Sequence, residues 1–233
     1  MSMILRFALG KKSWEIRMIP IKILAVAIVL LEIGKQVISF QNGYDLYHIP
    51  LHYCSIFIFM LPAFAFYRGK GQRTVAGVTA GLCGSVLALM LIYPNLIYSA
   101  WNIENYFPDY LSFHTVTFHN IVMLAFVLIL ALELHEPQQK GESMAVVWFM
   151  VGFCVVSSVM AQILKTNYAN FYQCNIPGFE ELRLSIQNVL GAVVTQILYV
   201  LIVSAVTVLF TLGFYRLYRL LAKAIGKRNS LVV

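Results

Sequence analysis

Charged side chains are scarce in this 233-residue sequence: Asp, Glu, Lys and Arg together make up 12% of it, about half the share of a soluble domain. That deficit excludes a soluble globular fold, and no hydrophilic stretch is long enough to form a separate soluble domain. Internal repeats and low-complexity tracts are lacking too. The first 18 residues are basic but hold no hydrophobic signal region or cleavage site, so the first apolar run is expected to be retained. Cysteines number four, and two of them, Cys83 and Cys154, lie deep in apolar runs and read as packing residues.

What is abundant is apolar surface. Hydrophobic residues make up 60% of the chain and the mean hydropathy is +0.78. Runs of about 20 apolar residues cross a bilayer as helices. Six such runs are expected, at 19–40, 49–67, 74–93, 113–132, 144–164 and 189–214. The expected fold is therefore all-α: one polytopic membrane domain of six transmembrane helices filling residues 1–233. Basic residues orient it. Arg6, Lys11, Lys12 and Arg17 precede the first run. Arg68, Lys70 and Arg73 follow the second, Lys140 follows the fourth, and Arg216, Arg219, Lys223, Lys227 and Arg228 end the chain. The opposite loops hold Lys165 and Arg183 alone. The positive-inside rule then puts both termini in the cytoplasm. Because topology accounts for these charges, no nucleic-acid partner is expected; the basic tail suits anionic headgroups.

Against this apolar background the reactive residues stand out. Cys54 sits in IPLHYCSIFIF and His119 in FHTVTFHNIVM, each near the start of an inward-running span. Counted along continuous helices, Cys54 lies roughly 7.5 Å past Ile49 and His119 roughly 9 Å past Phe113. That places a thiol and an imidazole at one depth near the outer boundary, where phospholipid esters lie. A thiol needs an adjacent base to act as a nucleophile. The competing readings are a packing cysteine and an outer-face disulfide with Cys174.

His48, His52 and His114 gather at the same face, with Asn120, Asn167 and Asn170 as possible supporting or substrate-binding groups. His48 and His52 have metal-binding spacing on a continuous helix, but Pro50 between them favours a break; no metal and no cofactor is expected. His135 falls on the cytoplasmic side and reads as a solvated loop residue. Glu32 and Lys35 are spaced to pair inside the first span, either as a strut or as part of a proton or substrate path. The Tyr93–Ser112 connection, with Trp101, Asn102, Glu104 and Asp109, has the length of a lid or wall, as does 175–188, where Glu180, Glu181 and Arg183 suit a surface helix. Gly77, Gly81 and Gly84 form one face for close helix packing.

LHYCSI at 51–56, FHNIVM at 118–123 and TNYANFYQC at 166–174, in this order, resemble the YwaF-type integral membrane family, the bacterial relatives of transmembrane protein 164, a lipid acyltransferase. The resemblance implies that Cys54 accepts the acyl chain, that His119 is its base, and that Asn167 and Asn170 orient the imidazole or bind a headgroup. His114 rivals His119, since its distance from Cys54 is nearer the family spacing, whereas the apolar context after His119 is the better match. The implied partners are phospholipids or lysophospholipids, and the implied activity is acyl transfer or lipid-ester hydrolysis. The alternative from the residues is a small transporter or solute-binding protein using the same outward His/Asn cavity, expected among spans two, four and five.

Overall fold

The computed structural model describes residues 9–10, 12–96, 98, 103–137 and 141–230. Arg6, Lys11, Trp101, Asn102 and Lys140 lie outside the described residues. The fold is all-α, and no strand occurs among the described residues. After a single turn at Trp14–Arg17 come α1 (Ile19–Gln41), α2 (Phe57–Phe66, entered through a 3-10 turn at Cys54–Ile56), α3 (Gln72–Ile92), α4 (Tyr110–Ala131), α5 (Glu142–Leu164), α6 (Pro177–Leu190) and α7 (Ala192–Ser230).

Four helices are long and apolar enough to cross a membrane: α3, α4, α5 and the Ala192–Ile225 stretch of α7. The other two expected spans differ in kind. Helix α1 has 23 residues, roughly 34 Å of helix, but carries Lys22, Glu32 and Lys35. Its Pro20 suits the first turn, and Ile21, Ala25, Ile28, Glu32 and Ser39 form its buried stripe. The second run is not a helix from residue 49. Helix begins only at Cys54: Ile49, before Pro50, is held out of the helical region at ψ 132°, and the Leu51 carbonyl is taken by Ser157 of α5. This shortens the helical part to Cys54–Phe66, and it removes the helical path from Ile49 to Cys54 assumed above.

Small residues make α3 the hub. It packs against α2, α4, α5 and α7, while α1 packs against α2 and α4. Helices α1 to α4 therefore form a ring in which α2 and α4 stand opposite one another. Gly81 lets α7 approach: a Cβ there would lie 3.0 Å from the Tyr215 Cβ. Without a hydrophobic effect between helices in lipid, such close packing is a main source of association.

Candidate functional site

The ring encloses a cavity of about 330 Å³ at one end. Glu32 and Lys35 line it from α1, Cys54 from the turn before α2, Val86 and Leu89 from α3, and His114, Thr115 and His119 from α4. Asn167, Ala169, Asn170 and Asn175, just beyond α5, complete the wall. The sequence put this cavity among spans two, four and five; α1 and α3 are walls as well, and α5 contributes through the segment that follows it. The volume lies at the lower end of small-molecule pockets, about 300–1,000 Å³.

The chain approaches Cys54 through a non-helical stretch, and the fold satisfies its carbonyls one by one. Tyr168 donates to the Leu46 carbonyl (2.5 Å), Gln36 to that of His48 (2.8 Å) and Ser157 to that of Leu51 (3.1 Å). His52 Nε2 donates to Tyr47 O at 3.0 Å. Irregular backbone in a membrane protein needs partners for its polar groups, and here side chains of other elements supply them. Tyr53 fixes the next residue's position: its hydroxyl bonds Ser85 Oγ of α3 at 2.5 Å and Thr211 Oγ1 of α7 at 2.7 Å. Cys54 thus opens a helix, at the end where partial positive charge favours an anion. It is a free thiol, and so is Cys174, so the disulfide alternative is absent here.

Four of the five histidines line the cavity, and each spends one ring nitrogen on the protein. His119 Nδ1 donates to the Thr115 carbonyl at 2.7 Å. An acceptor-only partner fixes the proton on Nδ1 and leaves Nε2 as the basic atom; Nε2 has no hydrogen-bond partner among the described residues. His114 Nε2 faces Glu32 Oε2 at 3.2 Å, so its proton sits on the nitrogen nearer the carboxylate. His48 Nδ1 meets Ser39 Oγ at 2.5 Å. No hydrogen bond joins Cys54 to His119 among the described residues; they face one cavity from opposite walls.

Glu32 has three side-chain partners. Lys35 Nζ and Gln36 Nε2 each reach Oε1 at 2.7 Å, with His114 on the other oxygen. The expected i,i+3 pair is therefore formed, and it borders the cavity, which the sequence could not distinguish from a buried strut. The metal spacing of His48 and His52 is lost at the break between them; among the described residues no group of three His, Cys, Asp or Glu side chains is arranged to hold a metal ion.

The asparagine wall is strained and partly unsatisfied. Ala169 and Asn170 both adopt left-handed backbone, with φ of 48° and 64°; for alanine this costs about 1–2 kcal/mol. Asn167 Oδ1 accepts from the amides of Tyr172 and Gln173, both at 3.2 Å, and its Nδ2 donates to Asn175. Asn170 Oδ1 is buried with no partner among the described residues. A buried acceptor left alone costs about 1–3 kcal/mol, a cost that a donor from a ligand in the cavity would remove. Asn120 is elsewhere: it is exposed and accepts from Tyr98 at 3.3 Å. The wall continues into α6, where Glu180 accepts from the Cys174 amide at 2.9 Å. Its hydrogen bonds to Arg183 hold the carboxyl below the ordinary range.

At the opposite end the structure corrects the reading of His135. It is buried, not solvated: Nε2 lies 3.3 Å from Glu142 Oε1, Nδ1 lies 2.9 Å from the Tyr218 hydroxyl, and the ring stacks on Tyr218. Tyr215 donates to Glu142 Oε2 at 2.6 Å. Nothing in the sequence near His135 signals this cluster, because its tyrosines lie about 80 residues away; the only local sign is an acidic residue opening an apolar helix. A cleft of about 720 Å³ runs beside it, bordered by Arg17, Tyr218 and Lys223. It is larger than the first cavity, but no thiol lines it.

No curated protein and no solved structure matches this chain. The sequence profile of the TMEM164 family matches residues 1–218, a stretch that contains every residue of the cavity. With its apolar helices and a match over nearly the whole length, the chain is an integral membrane protein that belongs to the TMEM164 family.

Proposed function

We propose that this protein moves acyl chains between membrane lipids, or releases them to water, through a thioester on Cys54. The observation that carries the reading is the pairing, across one cavity, of a free thiol at a helix start with an imidazole whose Nε2 is unengaged. In the proposed step the thiol proton passes to His119 Nε2 and the sulfur attacks a lipid ester carbonyl. The ester C–O bond breaks, and His119 returns the proton to the leaving lysolipid alkoxide. An acceptor alcohol or water then takes the acyl group from sulfur. His119 is taken as the base on the FHNIVM context of the family resemblance; His114, which also keeps one ring nitrogen unengaged among the described residues, is its rival. Asn170 Oδ1 suits a hydroxyl donor of the acceptor. The phospholipid or lysophospholipid substrates follow from family likeness to transmembrane protein 164 and from the depth of the site; the chain's own kinship would be with the YwaF-type bacterial members.

The same reading takes the chain across a bacterial plasma membrane six times, α1 and the broken α2 included, with both termini cytoplasmic. Supporting this, the cavity end holds few cations, Lys35 and Arg183, both ion-paired, and Lys165 after α5, while Arg17, Arg68, Arg73, Arg219 and Lys223 lie at the His135 end. A second reading, a solute-binding or transport protein, draws on one observation: the cavity reaches the intramembrane Glu32.

The test is incubation of purified protein with phospholipid carrying a labelled acyl chain, followed by mass spectrometry of the Cys54 peptide. A hydroxylamine-labile acyl adduct that Cys54→Ala abolishes and His119→Ala slows supports the reading. Absence of an adduct, with turnover of lipid unaffected by Cys54→Ala, discards the thioester and favours the solute-binding alternative.

A further inference from the structure

Helix α6 is amphipathic in the unexpected sense. One polar edge faces the protein: Arg183 donates to Glu180 through Nε (2.8 Å) and a terminal nitrogen (2.5 Å), reaches Gln196 of α7 at 3.1 Å, and lies over the Tyr199 ring at 5.5 Å, while Glu181, Ser185 and Asn188 form a separate, exposed polar strip. Its apolar side faces away. Phe179, Leu182, Ile186 and Val189, spaced three and four residues apart, are 63%, 56%, 39% and 82% exposed. A helix on a water-facing surface has the reverse arrangement.

The turn at Gly191 sets this face beside α7. Arg183 precedes it by eight residues and Tyr199 follows it by eight, yet the two side chains are in contact. Helices α6 and α7 therefore fold back on each other as a hairpin, and α6 runs beside the first turns of α7. Those turns belong to an apolar membrane-crossing stretch and expose Val193, Ile197 and Leu201. At 14 residues, roughly 21 Å, α6 is too short to cross a hydrocarbon core of about 30 Å.

We infer that α6 is a lipid-seated helix: its Phe179–Leu182–Ile186–Val189 face docks into the headgroup–acyl boundary of the leaflet at the cavity end. The occupant is the bilayer itself, because the face continues the lipid-facing surface of α7 across one residue. The guanidinium needs no water there, since carboxylate, amide and ring already surround it. Through Glu180 and the Cys174 amide, and through Gln196 with the carbonyls of Phe171 and Tyr172 (both 3.1 Å), the lipid boundary holds the asparagine wall of the cavity. This inference is independent of what the cavity does.

The experiment is site-specific photocrosslinking of the full chain in vesicles of phosphatidylethanolamine and phosphatidylglycerol. A benzophenone amino acid is placed at 182 or 186, and at 181 or 185 for contrast. Lipid adducts at least about fivefold more abundant at 182 and 186 are expected, as for an apolar face sunk in the boundary. Equal adducts on both faces, no lipid adduct at 182 and 186, or crosslinks to a second copy of the chain would overturn it. Because the probe is bulky, Ile186→Trp serves as a second variant. Quenching of its added fluorescence by brominated acyl chains supports the docking, and quenching by aqueous iodide instead rejects it.

Discussion

Each end of the helical ring has a buried His–Glu pair, and the two pairs are built for different purposes. At one end His135 uses both ring nitrogens, on Glu142 and Tyr218, and Tyr215 takes the remaining carboxylate oxygen. Every polar group in that cluster is spent on holding the end of α4, the start of α5 and the middle of α7 together. At the other end His48, His52, His114 and His119 each use one nitrogen, with no partner for the second among the described residues. A thiol and an orphaned Asn170 oxygen share their cavity. Saturated groups fix a structure; unsaturated ones next to a cavity have capacity left for a ligand.

The comparison breaks most sharply on activity. Cys54→Ala is expected to remove lipid acyl turnover, by about 10³-fold or more, and His119→Ala to lower it by about 10²–10⁴-fold, the range of a lost general base. Neither should shift the unfolding midpoint much, since neither side chain anchors a network. Turnover is followed with labelled phospholipid and unfolding by fluorescence in one detergent. If Cys54→Ala leaves turnover intact, the free groups of the cavity are for binding only.

Stability should respond the other way. Glu142→Ala strands the His135 donor and that of the fully buried Tyr215 and should cost about 3–5 kcal/mol, with turnover per folded molecule unchanged. Glu32→Ala strands Lys35, Gln36 and His114, but cavity water can serve them, so a smaller loss of about 1–3 kcal/mol is expected, together with altered turnover. Equal losses at the two ends would erase the distinction. Tyr53→Phe should cost about 1 kcal/mol, because Ser85 and Thr211 keep bonds to the Leu82 and Thr207 carbonyls. Its sharper effect is on the alkylation rate of Cys54, whose approach Tyr53 clamps.

The parts of this design that were legible in the sequence are those set by local pattern. Apolar runs mark α3, α4, α5 and α7, an i,i+3 spacing gives Glu32 its Lys35, and alternating direction brings Cys54, the four histidines and two asparagines to one end. Three-dimensional facts were not legible. Pro50 signalled a break, but only the carbonyl partners Gln36, Ser157 and Tyr168 make a non-helical stretch stable there. His135 looked like loop because its tyrosine partners are far along the chain. Asn120 follows His119 directly, and one step of about 100° on a helix turns it to the outside. The apolar face of α6 was hidden by Glu180 and Arg183, which read as water-facing until their partners were seen to be protein.

The smallest expected effect tests how firmly the cavity end is held. Glu180 has a depressed carboxyl in the folded chain, so its contribution is fully present above the ordinary glutamate value of about 4.3. It is lost as pH falls through the lower folded value. At neutral pH, Glu180→Gln should therefore be less stable than the native chain and should loosen the 167–175 segment, seen as faster hydrogen exchange there. Only below the lowered folded value should the two proteins converge. The His135 end should show no difference between them at either pH. A gap that persists in acid would mean that Glu180 acts through its packing rather than its charge, and the cavity wall would then depend on α6 without being tuned by the Glu180–Arg183 pair.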